Sequence, residues 1–420
     1  MEKSVKGALE RAGEYLLKRQ EQNGSWTLRE DKHMEPGELQ KDIVLTAQNT
    51  LALLMSGTGT FNAINKGINF CAEYGLDSKD PLAWWARKLM ALALSNSELN
   101  RKQKAETVAF LKKQQDEGRW QTVMSTYSLT NQMIIEGLSF FNEPRLLAKS
   151  GEWFRANMAA DRKGWGKDTE SKSEYTFTAN VITALMDCGE SPAEDYIMTA
   201  RAFLEGGQEK NGSWSSSKAT VEKPTVYATA VAALALMLTS ENPFNEKIRK
   251  ALEFVIRNQS GTGGWPNLPK EKPKSYVTYY AVKTLAFNLY LSGTWEGAEA
   301  RFLRKRLKPQ EVSAYLFKRF KKHLTERYRE LAYASISSSS ILGTNKNAIE
   351  RRKDILAVLG SEGSKETAEV IDSLKKQEKY AHLNKKAHMT QIKYDLQQLH
   401  GLNLVGKVRD KYFLVFNPAA

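Results

Sequence analysis

QEQNGSW, at residues 20–26, decides the fold because the chain repeats it at regular intervals. Later copies read QQDEGRW at 114–120, a degenerate GW at 164–165, QEKNGSW at 208–214 and QSGTGGW at 259–265. The steps between the tryptophans are 94, 45, 49 and 51 residues. A fixed period of this size is typical of repeat proteins. The first step is about two periods long, so one copy has lost its phrase. The count is then six units, which suggests a closed ring.

Two kinds of helix alternate around these turns. Outer helices, with one apolar face, are predicted at 2–21, 61–74, 99–115, 145–158, 193–207 and 244–258. Inner helices are predicted at 42–57, 80–96, 124–142, 173–188, 223–240 and 274–292. The inner ones are apolar on nearly every side, as in AVAALALMLTS at 230–240. Because a helix apolar all round is buried all round, the pattern predicts an inner ring within an outer ring.

The repeated turn has a structural interpretation. Its glycine supplies the left-handed backbone that ends an outer helix. Its tryptophan buries a large ring whose N–H still needs an acceptor. Its glutamine amide can bond backbone groups at a helix end and so tie one unit to the next.

These turns resemble those of the squalene–hopene cyclase and prenyltransferase superfamily, as do the inner helices LTAQNTLALL (45–54), FTANVITAL (177–185) and ATAVAALAL (228–236). The resemblance covers about residues 1–295 and implies a mainly α fold, an (α/α)6 toroid of six helix pairs. The same fold also serves proteins with no terpene chemistry. The resemblance therefore predicts the architecture and says nothing specific about activity.

The acids that this family uses in catalysis are missing. The resemblance implies an Asp-x-Asp-Asp-Thr-Ala motif where the chain reads DIVLTA at 42–47, with Val44 and Leu45 in the central acidic positions. Residues 174–179, EYTFTA, also lack an acid pair. The chain has no Asp-Asp-x-x-Asp run for Mg²⁺, and its two cysteines and five histidines form no recognisable zinc motif. We therefore expect no catalysis, cofactor or metal in the ring, and a terpene cyclase or prenyltransferase-type enzyme is the alternative.

The heads of the inner helices carry the candidate cavity residues. They are Asp42, Trp84, Trp85, Tyr127, Glu174, Tyr175, Tyr227, Tyr276, Tyr279 and Tyr280. One interpretation is an aromatic pocket for a small apolar ligand. The other is that these rings simply fill the centre of the toroid. The two acids either mark the mouth of a pocket or favour helix starts, where the helix dipole is positive.

Charge is distributed unevenly along the 420 residues. The net charge is +14, and residues 301–420 alone carry 25 Lys and Arg against 12 Asp and Glu. Such asymmetry suggests that the C-terminal part meets a polyanion, most often nucleic acid, although a solvated basic surface is the alternative. Only two cysteines, no membrane-spanning apolar run and no signal-peptide core predict a cytoplasmic protein.

Three domains follow from these changes in composition. The toroid takes residues 1–295, a basic linker helix and Ser-rich loop take 296–344, and a small domain takes 345–420. The segment 301–330 is either a phosphate-binding or partner-docking helix or a linker helix packed against the ring. Pro309 separates a short arm from a helix that is predicted to begin near Glu311.

The last 75 residues predict three helices and a β-ribbon. The first helix spans 347–359 and ends at Gly360, and the second spans about 365–375 with Ser364 as its N-cap. The third helix has Ile392, Leu396 and Leu399 on one face, and the ribbon spans 406–415. The order resembles a winged helix-turn-helix domain of bacterial regulators, as does the T-x-x-x-x-D-L-x-x-L-x-x-x-x-L-V pattern before a basic ribbon.

This second resemblance implies binding of duplex DNA, with the third helix in the major groove. The implied contact residues are Lys385, Lys386, Thr390, Gln391, Lys393, Tyr394, Gln397, Lys407, Arg409 and Lys411. The leading hypothesis is a non-catalytic toroid that binds a protein partner or a small apolar ligand, fused to a DNA-binding domain. Such a protein would act as a regulator or as a DNA-tethered part of a bacterial complex, for example in defence or in a mobile element. A protein-interaction scaffold without DNA binding is a further alternative.

Overall fold

Helices dominate the computed structural model, which describes residues 1–27, 42–94, 98–120, 127–141, 143–216, 223–337, 346–363, 365–381, 385–401, 405–408 and 410–414. The outer helices are α1 (Glu2–Lys18), α3 (Phe61–Glu73), α5 (Glu98–Lys113), α7 (Pro144–Ala156), α9 (Asp195–Gly206) and α11 (Glu246–Arg257). The inner helices are α2 (Asp42–Ser56), α4 (Leu82–Ala93), α6 (Tyr127–Leu138), α8 (Tyr175–Cys188), α10 (Val226–Thr239) and α12 (Ser275–Thr294).

The inner helices form a closed ring. Each packs against the next inner helix in chain order, and α12 packs against α2 to complete the circle. The outer helices pack against the outside of this ring, and α1 contacts both α2 and α12. The predicted toroid of six helix pairs is therefore confirmed.

Each turn tryptophan is buried and fastened to the outer helix that precedes it. The indole Nε1–H groups donate over 2.7–2.9 Å to the backbone carbonyls of Leu16, Leu111, Phe154, Leu204 and Val255. Each of these carbonyls lies in the last turn of an outer helix and also accepts a backbone N–H, from Arg19, Gln114, Asn157, Gly207 or Asn258, so the indole is its second donor. The five turns thus share one tryptophan contact.

The turn glutamines join neighbouring outer helices. Gln20 donates through Nε2 to the Ala63 carbonyl, and Gln208 donates to the Lys247 carbonyl, each over 2.8 Å. Gln259 donates to the Ala8 carbonyl over 2.8 Å and so joins the sixth unit to the first. We call this contact region, formed by α1 and residues 259–273, the closing joint.

The second turn departs from the predicted pattern. Gln115, rather than Gln114, donates to the Leu146 carbonyl over 3.1 Å. The reason is that α5 ends one residue later relative to its turn, so that Gln115 stands two residues after Lys113, as the other turn glutamines stand two residues after α1, α9 and α11. Two short strands, β1 (Gln115–Asp116) and β2 (Arg119–Trp120), pair as an antiparallel hairpin at this turn.

The threonines of the inner helices also have a structural function. The Oγ1 atoms of Thr46, Thr178, Thr229 and Thr278 accept the backbone N–H of a turn tryptophan over 3.0–3.1 Å. In the second turn, Asn131 Oδ1 accepts the same bond from Trp120 over 2.8 Å. Thr46 belongs to the segment DIVLTA, which resembles the acid motif of cyclases. In this protein that threonine accepts a hydrogen bond that holds a turn tryptophan in place.

Two helices follow the ring, α13 (Ala298–Leu303) and α14 (Pro309–Ser337). Helix α14 begins at Pro309, two residues before the predicted start, which suits proline at the first helical position. It packs against α2, α3, α10 and α12, and it buries Val312, Phe317, Phe320 and Tyr328. The basic segment therefore includes a long helix that is packed on the ring.

The C-terminal elements are α15 (Lys346–Glu362), β3 (Lys365–Glu366), α16 (Thr367–Lys375), a 3-10 turn (Glu378–Tyr380), α17 (Lys385–Gly401), β4 (Val405–Val408) and β5 (Lys411–Leu414). The strands form an antiparallel sheet in the order β3-β5-β4, with Val405 opposite Leu414 and Lys365 opposite Tyr412. The helices α15, α16 and α17 pack against one another.

Two details of this region differ from the prediction. Gly360 lies inside α15 and does not end it, whereas Gly363, with a φ of +83°, follows the helix. The N-cap of α16 is Glu366, which forms a capping box with Glu369. The predicted N-cap, Ser364, lies outside the described residues. Residues 365–366, predicted as the start of this helix, pair as a strand with β5 instead.

Within the described residues, no helix is long and apolar enough to cross a bilayer.

Cys71 is buried on α3, and Cys188 is half-buried at the end of α8. Both are free thiols.

Candidate functional sites

Three of the predicted cavity residues meet at the heads of α10 and α12. The ring of Tyr227 lies edge-on to those of Tyr276 and Tyr280, with centroids 5.8 and 4.9 Å apart. Asn180 donates to the Tyr227 hydroxyl over 3.1 Å. Because Tyr276 is 36% exposed whereas Tyr280 is buried, the cluster extends from the surface into the ring.

Other predicted cavity residues pack between inner and outer helices. Trp85 lies against Phe110 of α5 with centroids 4.5 Å apart, and Tyr175 stacks on Phe203 of α9 at 4.8 Å. Trp84 packs against the small buried cluster that includes Ile43. These contacts are those of packing residues.

The two predicted acids stand at the starts of inner helices. Glu174 is the half-buried residue before α8, and its side chain does not cap that helix. Asp42 begins α2 and Tyr127 begins α6, but their side chains lie outside the described part of the structure.

The ring encloses a buried ion network that the sequence analysis did not identify. Glu136 of α6 accepts a hydrogen bond from Arg87 Nη1 of α4 over 2.6 Å. Its other oxygen accepts from Lys283 Nζ of α12 and, over 2.9 Å, from the hydroxyl of Tyr279. Arg87 Nη2 also donates to the Tyr280 hydroxyl over 3.2 Å. All five side chains are buried, and they join α4 and α6 to α12.

The electrostatics of this network fix the charge of its acid. Burial alone would raise the pKa of Glu136, but Lys283 and Arg87 outweigh burial and hold that pKa far below its ordinary value of 4.5. The pKa of Arg87 stays above its ordinary value because Glu136 outweighs burial there. A carboxylate that stays ionised cannot protonate an alkene, so this centre has the character of a structural ion network.

A second buried pair attaches α14 to the ring. Lys321 Nζ donates to Asp187 Oδ1 of α8 and to Ser139 Oγ, which follows α6, each over 2.5 Å. Burial raises the pKa of Asp187 and lowers the pKa of Lys321, so desolvation weakens the charge of both partners. The ammonium also lies 4.8 Å from the Phe317 ring. The pair places α14 near the ends of α6 and α8.

The buried charges had a signal in the sequence. Glu136 and Lys283 are the only charged residues in the sequences of α6 and α12, and Arg87 lies beside Lys88 in the otherwise uncharged α4. A charged residue is rarely fully buried unless it is paired. Charges within such helices therefore predict partners across the ring, although they do not identify which ones.

The structure places five of the candidate DNA contacts on one exposed face of α17. These residues are Thr390, Gln391, Lys393, Tyr394 and Gln397. Ile392, Leu396 and Leu399 are buried on the other face. Tyr394 is 50% exposed, one of the most exposed large apolar side chains in the described chain.

Asp395 fixes the orientation of α17. It is fully buried and accepts hydrogen bonds from Arg351 Nε over 2.5 Å and from Arg352 Nε over 2.8 Å, both on α15. The guanidinium of Arg352 also lies 5.9 Å from the Tyr394 ring. The aspartate of the T-x-x-x-x-D-L-x-x-L pattern is therefore buried and holds α17 against α15.

The remaining candidate DNA contacts are placed less completely. Lys411 is exposed at the start of β5. Lys407 lies on β4, and Lys385 and Lys386 begin α17, but their side chains are outside the described set. Arg409 lies outside the described residues.

Among the residues that are described, no three His, Cys, Asp or Glu side chains form a group that could hold a metal.

Comparison with two solved structures of a terpene cyclase supports the fold. The type II terpene cyclase MstE from Scytonema aligns at a TM-score of 0.50 and 13% identity, over 69% of this chain and 99% of the cyclase. A variant of that enzyme bound to geranylgeranyl dihydroxybenzoate aligns equally well, over 68% of this chain and 97% of its own. A glycosidase in complex with glucose aligns at a TM-score of 0.48 and 11% identity, over 69% of this chain and 97% of its own.

Neither a protein-family model nor a curated protein sequence matches this chain. At 13% identity the structural likeness to terpene cyclases defines the class of fold, an α/α toroid, and extends to the fold alone.

Proposed function

We propose that the protein is a non-catalytic toroid fused to a duplex-DNA-binding winged helix. The observation that carries this proposal is the division of α17 into two faces. One face is buried on its domain, and the other presents Thr390, Gln391, Lys393, Tyr394 and Gln397 to solvent. Hydroxyl, amide and ammonium groups on an exposed helix are the groups that read base edges and bind phosphates.

The topology of the C-terminal region supports the same proposal. Its order is helix, strand, helix, helix, strand, strand, and β5 lies between β3 and β4. In a winged helix this order makes α17 the recognition helix and the β4–β5 hairpin the wing. Lys407 on β4 and Lys411 on β5, together with Arg409 from the sequence between these strands, would then meet phosphates. Lys385 and Lys386 would do so at the start of α17.

The interior of the toroid supports a role in scaffolding or in binding a partner. The buried network of Arg87, Glu136 and Lys283 lies inside the ring, and its acid is held ionised. The enzyme alternative rests on the fold alone, because class II chemistry needs a neutral acid. The protein would then act as a cytoplasmic regulator or as a DNA-tethered component of a larger bacterial complex.

Charge removal on α17 and β5 tests DNA binding. Replacing Lys393 and Lys411 with alanine should weaken binding of a 30-base-pair duplex and reduce the slope of log K against log salt by about 2, since each phosphate contact contributes about 0.9. The measurement is fluorescence anisotropy of the full chain from 50 to 300 mM KCl.

The matched control is Lys149→Ala with Lys163→Ala, which removes two exposed lysines from the ring. This control should leave the slope unchanged. Equal slopes in the two double variants would reject the α17 interface. No binding by the parent would favour a protein-interaction scaffold.

A further inference from the structure

A cleft of about 790 Å³ lies at the closing joint, between α1 and residues 261–273. Its volume is within the range of small-molecule sites, about 300–1,000 Å³. Tyr15, which is buried, forms part of the lining, and Arg11, Lys18, Arg19 and Lys272 surround it. This cleft is separate from the tyrosine cluster at the inner-helix heads.

The fifth turn departs from the repeat in a way that shapes this cleft. The residue before the tryptophan is Ser25, Arg119 or Ser213 in the other full turns, but Gly264 in the fifth. A Cβ atom on Gly264 would lie 2.7 Å from the Tyr15 ring, so only glycine allows this approach.

The second turn shows the effect of a side chain at this position. There, Arg119 extends over the ring of Trp153, with its guanidinium 5.9 Å away. Trp153 occupies the place of Tyr15, because both approach the Cβ position of a turn glycine within 3.2 Å. The fifth turn therefore lacks the side chain that covers the equivalent ring in the second turn.

The charge of the lining is strongly positive. Among the lining residues that the structure describes, four cations face one acid, Glu14. Arg11 is held in place by two hydrogen bonds to Gln259 Oε1, of 3.0 and 2.6 Å, and Arg19 lies 5.2 Å from the Tyr15 ring. Neither Lys18 nor Lys272 forms an ion pair with any residue that the structure describes. Two oriented guanidinium groups and two unpaired ammonium groups thus converge on one space.

We propose that this cleft binds a polyphosphate group, either free or carried by a nucleotide. Guanidinium and ammonium groups are the principal phosphate ligands among side chains, and several of them favour a multiply charged anion over a single sulfate. Three of the cations come from the first unit and Lys272 comes from the sixth. A bound polyphosphate therefore clamps the joint that closes the ring and stabilises the folded toroid.

Calorimetric titration of the full chain with sodium tripolyphosphate, at ionic strength held constant with NaCl, tests the site. The parent should bind one equivalent and show a saturable rise in Tm. Lys18→Gln with Lys272→Gln should weaken binding by about 100-fold, roughly tenfold for each lost charge-assisted contact. Lys149→Gln with Lys163→Gln removes the same charge elsewhere on the ring and should leave the affinity unchanged. Equal affinities in the two double variants would overturn the proposal.

Further arms identify the source of the phosphates and the location of the site. Tighter binding of ATP than of tripolyphosphate assigns a nucleotide, equal or weaker binding of ATP assigns a free polyphosphate, and binding of adenosine alone contradicts recognition of the phosphates. The Lys393→Ala, Lys411→Ala variant should retain tripolyphosphate binding. Loss of binding in that variant would assign the anion to the C-terminal domain and reject the closing joint. The result does not depend on whether the protein binds DNA.

Discussion

Glu136→Gln is expected to lower the free energy of unfolding by about 3–5 kcal/mol, which is the usual effect of breaking a buried ion pair. Arg87 and Lys283 would remain buried, within hydrogen-bond distance of an amide that has no charge. The stability is lost because the two cations stay desolvated without a negative charge to offset the cost of their burial. The network also joins α4 and α6 to α12, so the damage should affect packing inside the ring.

Urea denaturation followed by circular dichroism measures this effect. The matched control is Glu253→Gln, which removes the acid of an exposed pair with Arg249 and should cost less than about 1 kcal/mol. Combining Glu136→Leu, Arg87→Met and Lys283→Met with Tyr279→Phe and Tyr280→Phe should recover most of the stability, because apolar replacement of an entire buried network is often neutral. A loss below about 1 kcal/mol in Glu136→Gln would show that the network is not a structural element.

The pH dependence of stability provides an independent check on Glu136. The pKa of Glu136 in the folded protein lies well below its ordinary value of 4.5. The ionised carboxylate therefore contributes its full stabilisation to the folded state above pH 4.5, and this stabilisation declines as the pH falls below that value. Asp187 acts in the opposite direction because its pKa is raised. We therefore compare the free energies of unfolding of the parent and of Glu136→Gln. The difference between them should decrease as the pH falls from 5 toward 3. A difference that stays constant would contradict an ionised Glu136.

The architecture could be predicted from the sequence because its signal is local and repeated. Four of the five turns place a Gly two residues before the Trp, and the inner helices carry few charged residues. The ion network could not be predicted in the same way. Arg87 and Glu136 are 49 residues apart, and Glu136 and Lys283 are 147 apart. Periodicity indicates that such residues are buried, but not which of them meet across a ring.

The C-terminal region shows the same division between local and long-range information. The burial of Ile392, Leu396 and Leu399 follows from helical spacing and agrees with the structure. Strand β3 has two residues, too few for an alternating pattern, and it is specified by its pairing with β5. Gly360 remains helical because one glycine weakens a helix by only about 1 kcal/mol, which packing can outweigh.

Gly263→Ala is expected to open the ring at the closing joint. Gly263 has a φ of +101°, and an added Cβ atom would lie 2.2 Å from the carbonyl oxygen of Arg11. An L-residue in this conformation costs about 1–2 kcal/mol, and displacing packed backbone costs about 1–3 kcal/mol more. The total, about 2–5 kcal/mol, acts at the position where α1 must contact the sixth unit.

Gly261→Ala is a control within the same turn. Gly261 does not have a positive φ, and an added Cβ atom there would meet nothing within 4 Å. Its substitution should therefore change stability by less than about 0.5 kcal/mol. Limited proteolysis should then cleave Gly263→Ala near the closing joint faster than it cleaves the parent or Gly261→Ala. The turn must approach Arg11 closely for Gln259 to bond α1 and so join the two ends of the toroid. If the two variants are equally stable and are cleaved at equal rates, closure of the ring does not depend on the closing joint.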